Sequence, residues 1–467
     1  MIKLASVRNC SKSTAAVALL AACVVCVGCD DDAVVLEIRT DLTIPGELDG
    51  LCIEVSARGA TPFARRYVLG GTEVPALPAT LTVLPGAGSG PVATARGYRD
   101  GREVLRARTA LSFSGVSHAP LGLLRCVPAP GVSTLAVRDE VPATGAHIEV
   151  LFGRGRAHLV VVEASAVRVL VSDGDALMPE VTGAPPAVPA GVRALAAADV
   201  DGDCDDDLVV VTDAAVELWR HDGRGGLTAE TLPGAGLGAA ALGDVDGDGD
   251  ADLVLAGGAR VRLLVNDGAG RFSEAAAAIT PMPTDATALD LGDFTGDGAL
   301  DLIIGQGGAA AAPARAYAND GAGHLAGQAS AAYLPETPLS TRAVTLADVD
   351  GDGDLDAVLA GLGGAHLYVN RGSGRFDDRS FERLPAASDD LGAAVSGDLD
   401  GDCLPELALT RSGAATSLLT GTGTGTLAPA TLAPPESTRA RIADLDGDGL
   451  RDLILAGATN ITWVAGR

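Results

Sequence analysis

From about residue 132 onward, short runs of small aliphatic residues alternate with polar, glycine-rich segments at a steady beat. In one stretch the apolar runs cover 239–243, 253–256 and 261–265, and a shorter one follows at 271–275. Runs this short, bounded by Gly, Asn and Asp, predict strands. The same four-strand grammar recurs to the end of the chain, which predicts a repeat protein whose units stack on their neighbours. Upstream the pattern is period two. Val34, Leu36 and Ile38 alternate with Glu37 and Arg39, and Leu51, Ile53 and Val55 alternate again, as do Leu81 and Val83. Tyr98-Arg99-Asp100-Gly101-Arg102 supplies an Asp-Gly hairpin turn. Residues 30–127 therefore read as a small β-sandwich domain, with Pro128-Ala129-Pro130-Gly131 as the hinge to the repeat region at 132–467.

Between the first and second strands of six units lies an acidic nine-residue loop. The clearest copy is Asp348-Val349-Asp350-Gly351-Asp352-Gly353-Asp354-Leu355-Asp356. Successive loops start at Asp199, Asp244, Asp293, Asp348, Asp398 and Asp444, separated by 45, 49, 55, 50 and 46 residues. Positions 1, 3, 5, 7 and 9 are Asp199, Asp201, Asp203, Asp205 and Asp207 in the first loop, and Asp244, Asp246, Asp248, Asp250 and Asp252 in the second. They are Asp293, Thr295, Asp297, Ala299 and Asp301 in the third, and Asp348, Asp350, Asp352, Asp354 and Asp356 in the fourth. The last two loops carry Asp398, Asp400, Asp402, Leu404 and Glu406, then Asp444, Asp446, Asp448, Leu450 and Asp452. Carboxylates this crowded require a bound cation, and an all-oxygen donor set on a flexible loop favours Ca²⁺, up to six ions in all. Position 7 varies freely, so it is expected to ligate through its backbone carbonyl. Position 9 is acidic in every copy, as a residue that closes the cage would be. Thr295 leaves the third loop with three acids, so it should be the weakest.

A second signature stands in register with the loops. Asn266-Asp267-Gly268-Ala269-Gly270 recurs as His221-Asp222-Gly223-Arg224-Gly225, Asn319-Asp320-Gly321-Ala322-Gly323 and Asn370-Arg371-Gly372-Ser373-Gly374. Phe272, Leu325 and Phe376 follow three of these turns, whose Gly and Asn are expected to supply positive φ. Together the two elements resemble the VCBS and FG-GAP repeats, the calcium-bearing blades of the integrin α-type propeller. The resemblance implies four-stranded antiparallel blades with Ca²⁺ in the first hairpin. A seventh unit, without a calcium loop, aligns 152–162 with 201–211 and places Arg154 where Asp203 stands. The fold expected is thus all-β: a seven-bladed β-propeller preceded by a small β-sandwich. The last unit lacks a fourth strand, and 133–137 is expected to provide it. Trp219, Leu264, Tyr317 and Tyr368 each stand four residues before a turn glycine, which predicts packing between blades.

The net charge of −27 excludes a nucleic-acid partner, since phosphate binding needs cationic contacts. Glycine is abundant and hydrophobics make up 47%, as in a folded, turn-rich chain. At the N-terminus Lys3, Arg8 and Lys12 precede an apolar run over 15–28, too short for a convincing membrane span. The segment ends Cys26-Val27-Gly28-Cys29, which resembles a bacterial lipobox with Cys26 in place of the usual leucine. That resemblance implies a signal peptide over 1–29, lipidation of Cys29 and a membrane-anchored envelope protein, periplasmic or on the cell surface. An ordinary secretory signal is the alternative. Export implies an oxidising compartment, where Cys52 and Cys126 are the expected disulfide; Cys204 and Cys403 are expected to stay free, with a bridge between them as the alternative.

No Gly-x-Ser-x-Gly elbow, P-loop or paired-histidine zinc motif is present. The reading favoured is a non-enzymatic, calcium-stabilised, monomeric binding or adhesion module for a protein or polysaccharide. The alternatives are a carbohydrate-active enzyme of the polysaccharide-lyase kind and a structural envelope scaffold.

Overall fold

The computed structural model describes residues 33–40, 50–58, 63–68, 79–83, 89–99, 102–110 and 116–123 and, with short gaps, 135–465. Cys29, Cys126, Arg154, Cys403 and Asp448 lie outside the described residues. Contacts divide the chain into two compact units, Met1–Val127 with Gly202–Cys204, and the remainder. In the first unit Ala33–Thr40 lies between Ala79–Val83 and Val116–Leu123 in a three-stranded sheet. Phe63–Val68, Gly50–Arg58, Ser89–Arg99 and Arg102–Ala110 form a four-stranded one. Arg99 pairs with Arg102, as the Asp-Gly turn between them requires. Leu36, Ile38, Leu51 and Ile53, four of the residues picked out by alternation, are buried.

Cys52 is disulfide-bonded to Cys204, which corrects the expected Cys52–Cys126 pair and the expected free thiol at Cys204. Closure entropy grows only logarithmically with loop length, so sequence spacing could not choose between the partners.

The second unit is a seven-bladed propeller. Blade 1 comprises His147–Gly153, Arg156–Val162, Val167–Ser172 and Leu177–Pro179. Blades 2 to 6 begin with Val192–Ala198, Ala239–Gly243, Ala286–Gly292, Ser340–Ala347 and Ala394–Gly397. Blade 7 has Arg439–Ala443, Asp452–Ala456 and Asn460–Ala465, with Ala136–Pro142 as its fourth strand. The ring therefore closes by joining its two ends, as expected, through 136–142; of the expected 133–137, residues 133 and 134 lie outside the described residues. Ile279–Thr280 on blade 4, a small sheet of Arg411–Ala415 with Glu436–Ser437, and the one-turn helix Ser380–Arg383 were not anticipated.

The first strand of each blade adjoins that of the next all the way round. Each of the seven blade interfaces has its own apolar cluster, the one between blades 7 and 1 included. Second strands are covered on both faces by neighbouring blades, so their middles read as unbroken apolar runs, 253–256 within Asp252–Gly257 and 302–304 within Asp301–Gln306. Trp219, Leu264, Tyr317 and Tyr368 are all sealed between blades, as their once-per-blade spacing predicts.

Candidate metal centres

Each acidic loop leaves a first strand and re-enters the blade at the acid in position 9. In the blade-5 loop, Asp348 Oδ1 accepts the backbone N–H groups of Gly351 and Asp352, and Oδ2 that of Gly353. Such wrapping needs left-handed backbone at positions 4 and 6, and Gly351 and Gly353 have φ of 76° and 95°. Asp244 and Asp293 organise the blade-3 and blade-4 loops through the same three contacts. The position-5 acids Asp248, Asp297, Asp352 and Asp402 each accept the N–H of position 7.

Position 3 is different. One oxygen of Asp201, Asp246 and Asp350, the Oδ1, is buried and has no hydrogen-bond partner. In two of these loops the other oxygen takes an arginine: Arg220 reaches Asp201 at 2.6 Å and Arg383 reaches Asp350 at 2.8 Å. Arg138 stands 3.5 Å from Asp446 in the same relation. Carboxylate oxygens converge within 4.8 Å in the groups Asp244/Asp246/Asp248, Asp348/Asp350/Asp356 and Asp398/Asp400/Glu406. An orphaned buried oxygen inside a cluster of like-charged oxygens is unfavourable without a cation. The donor set fits a hard divalent ion.

Position 9 is deeply buried: Asp252, Asp301, Asp356 and Glu406 are 0% exposed. One oxygen accepts the N–H of position 2, as in Val245 to Asp252, Phe294 to Asp301 and Val349 to Asp356. The other accepts the N–H of the turn residue, as in Asn266 to Asp252, Asn319 to Asp301 and Asn370 to Asp356. In Asp252 and Asp301 the first oxygen also accepts the N–H of position 3, so the second, with one such bond, is the one that keeps a lone pair for an ion. Burial pushes the carboxyls of Asp252, Asp301, Asp356 and Asp452 up to about 7 and that of Glu406 up to about 8. The backbone N–H groups oppose that rise, and neighbouring cage acids such as Asp246 and Asp350 reinforce it.

Position 7 turns its side chain away from the cage. Asp250 lies so close over Gly268 that a Cβ there would come within 2.4 Å of its Oδ2. Asp205 and Leu404 press on Gly223 and Gly421 in the same way, while Ala299 and Asp354 lie over Gly321 and Gly372 at ordinary contact distance. This outward direction explains why any residue is tolerated there and leaves the carbonyl as the group available to an ion. Asp199, Asp205 and Asp207 are buried and Asp203 is exposed. Asp293, Asp398, Asp444 and Leu450 occupy the corresponding positions of their loops.

Two features of the site escaped sequence reasoning. Position 2 is always apolar and buried, as Val200, Val245, Phe294, Val349, Leu399 and Leu445. Its carbonyl is bound by the next blade: Asn266, Asn319 and Asn370 donate their amides to Val200, Val245 and Phe294 at 2.7–2.8 Å. The same amides also hold position 8 of their own loops. The turn asparagines are therefore braces between successive loops. Positive φ is carried by the turn glycines and Ser373, which corrects the expectation for Asn.

Four segments, 199–255, 244–304, 348–409 and 398–455, match the model of the FG-GAP-like repeat. Each runs from one acidic loop or its blade into the second strand of the next. None of the curated proteins compared matches the sequence. Among solved structures, the chain is similar to an Agrocybe aegerita lectin described for its recognition of non-reducing terminal N-acetylglucosamine. Identity there is 20% and the TM-score 0.44, covering 66% of this chain and 84% of that one. It is also similar to the Dos1 propeller, at 11% identity and a TM-score of 0.44, covering 68% and 78%.

Proposed function

We propose that this seven-bladed propeller of FG-GAP-like repeats is a calcium-loaded binding module, non-enzymatic and held at a membrane of the cell envelope through Cys29. The observation that carries the metal is the orphaned position-3 oxygen, which recurs on Asp201, Asp246 and Asp350 inside clusters of acids. Ca²⁺ would be held by the acids at positions 1, 3, 5 and 9 and the carbonyl of position 7, and would supply the charge that lets them crowd. Repetition favours a structural ion, because a reactive centre is normally built once. The ring would then be rigid, displaying its faces to a protein or polysaccharide. The acid-to-base imbalance favours binding over turnover of an anionic polymer.

Calorimetric titration of CaCl₂ into the chelator-treated full chain should give saturable binding, at most six ions, with a higher melting temperature. The calcium-loaded protein is then screened on glycan and protein arrays. No heat and no thermal shift would remove the metal, and loss of binding on mutating any single loop acid, with folding intact, would move the ligand onto the ions themselves.

A further inference from the structure

We infer that the inner ring where blades 7, 1 and 2 meet binds a single oxyanion, a carboxylate or sulfate group. The first strands of the blades invert the charge of the chain. They carry four arginines, Arg193, Arg342, Arg439 and Arg441, against two acids, Glu149 and Asp290. The protein as a whole is at −27.

Three of the four arginines gather with His147. Arg441 donates its Nε to both oxygens of Glu149 on blade 1 at 2.8 Å and reaches the Leu195 carbonyl of blade 2 at 3.5 Å. A side chain that spans the first strands of three consecutive blades crosses the interior of the ring. Arg193 is paired with Asp213 at 2.7 Å. Arg439 is the exception. Its partners are the Ala146 carbonyl and, at 2.8 Å, Nε2 of His147, and among the described residues no carboxylate forms an ion pair with it.

Guanidinium only donates, so Nε2 of His147 accepts and the ring proton resides on Nδ1. His147 is thus neutral and offers one more donor. Burial, with Arg439, Arg441 and Arg193 around it, holds its pKa down to about 4. Arg439 is itself pulled below the usual arginine value by burial and by Arg441. Buried charges are normally paired, and a half-buried guanidinium flanked by another cation and a donor-bearing imidazole makes a donor set suited to a bidentate oxyanion.

The cluster lies at the starts of the first strands, whereas the acidic loops follow their ends. A strand of five to seven residues separates them by roughly 15–20 Å, so the oxyanion is no calcium ligand. The inference rests on the binding-module reading only in assigning chemistry to one subsite.

The test is calorimetric titration of sulfate, and separately acetate, into the calcium-loaded full chain, with chloride holding ionic strength constant. Saturable one-site binding is expected for at least one of them, which also says whether the tetrahedral or the planar group is preferred. Arg439→Gln should weaken it at least tenfold, while Arg342→Gln and calcium uptake stay as in the wild type. If Arg439→Gln fails to fold, ¹⁵N-histidine spectra of the unmodified protein serve instead. There the His147 ring signals, assigned with His147→Gln, should shift on adding the anion. No saturable binding of either anion, equal weakening by Arg342→Gln, or unmoved His147 signals would each overturn the assignment. Calcium uptake on the same sample separates that outcome from failure of the wider reading.

Discussion

Metal-free protein should lose stability as pH rises from 5 to 8, and calcium should abolish that loss. The position-9 acids titrate near pH 4 in the unfolded chain, but in the folded protein Asp252, Asp301, Asp356 and Asp452 are pushed to about 7 and Glu406 to about 8. Between those values the folded state holds protons that the unfolded state has released. Stability present below about pH 4 is therefore lost as pH climbs through the folded values. A displacement of about three units corresponds to roughly 4 kcal/mol per loop at the limit. Even a quarter of that at one loop, about 1 kcal/mol, lowers the midpoint by roughly 2 °C in a protein of this size. Bound Ca²⁺ stabilises the ionised acids, so the loaded protein should be flat over the same range. Thermal unfolding of dialysed, metal-free protein at pH 5, 6, 7 and 8, with and without saturating calcium, reads the difference. A metal-free midpoint that is constant or rises with pH would refute the argument.

Asn370→Ala removes two amide bonds, to Phe294 and Leu355, and should cost about 1–3 kcal/mol in urea unfolding, more than Asp377→Ala on the exposed turn strand. Trp463→Ala, at a side chain with no exposure on the closing strand pair, should cost about 3–5 kcal/mol, read as a shift of the urea midpoint. The blade-4 loop, with Thr295 in place of an acid, should release calcium first in a chelator titration; Thr295→Asp should move it into line with the others.

What could be read in advance was local. The nine-residue loops, the glycine turns and the four-strand grammar are patterns within one unit, and the strands of the 239–275 unit shifted by only a residue. The closing strand also followed, because a blade short by one strand leaves an edge that something must cover. What could not be read was pairing over distance. Cys204 looked like any residue replacing a loop glycine. Arg439, His147 and Arg193 each look like the outward residue of an ordinary strand, since their convergence depends on the ring bringing 147, 193 and 439 side by side. The asparagine braces were half legible. Their position in the turn was plain, but a turn preference for Asn explains the residue without its amide, and the carbonyl it seeks belongs to the preceding unit.

The clasp between Ala136–Pro142 and Asn460–Ala465 joins partners such as Glu140 and Thr462, 322 residues apart. During synthesis the earlier strand emerges with its edge unpaired and waits for nearly the whole remaining chain before its mate arrives. An uncovered edge over that interval is open to pairing with other molecules until its mate covers it. Once fastened, the same junction stops the array from fraying blade by blade, as an open solenoid does, and makes unfolding an all-or-none event.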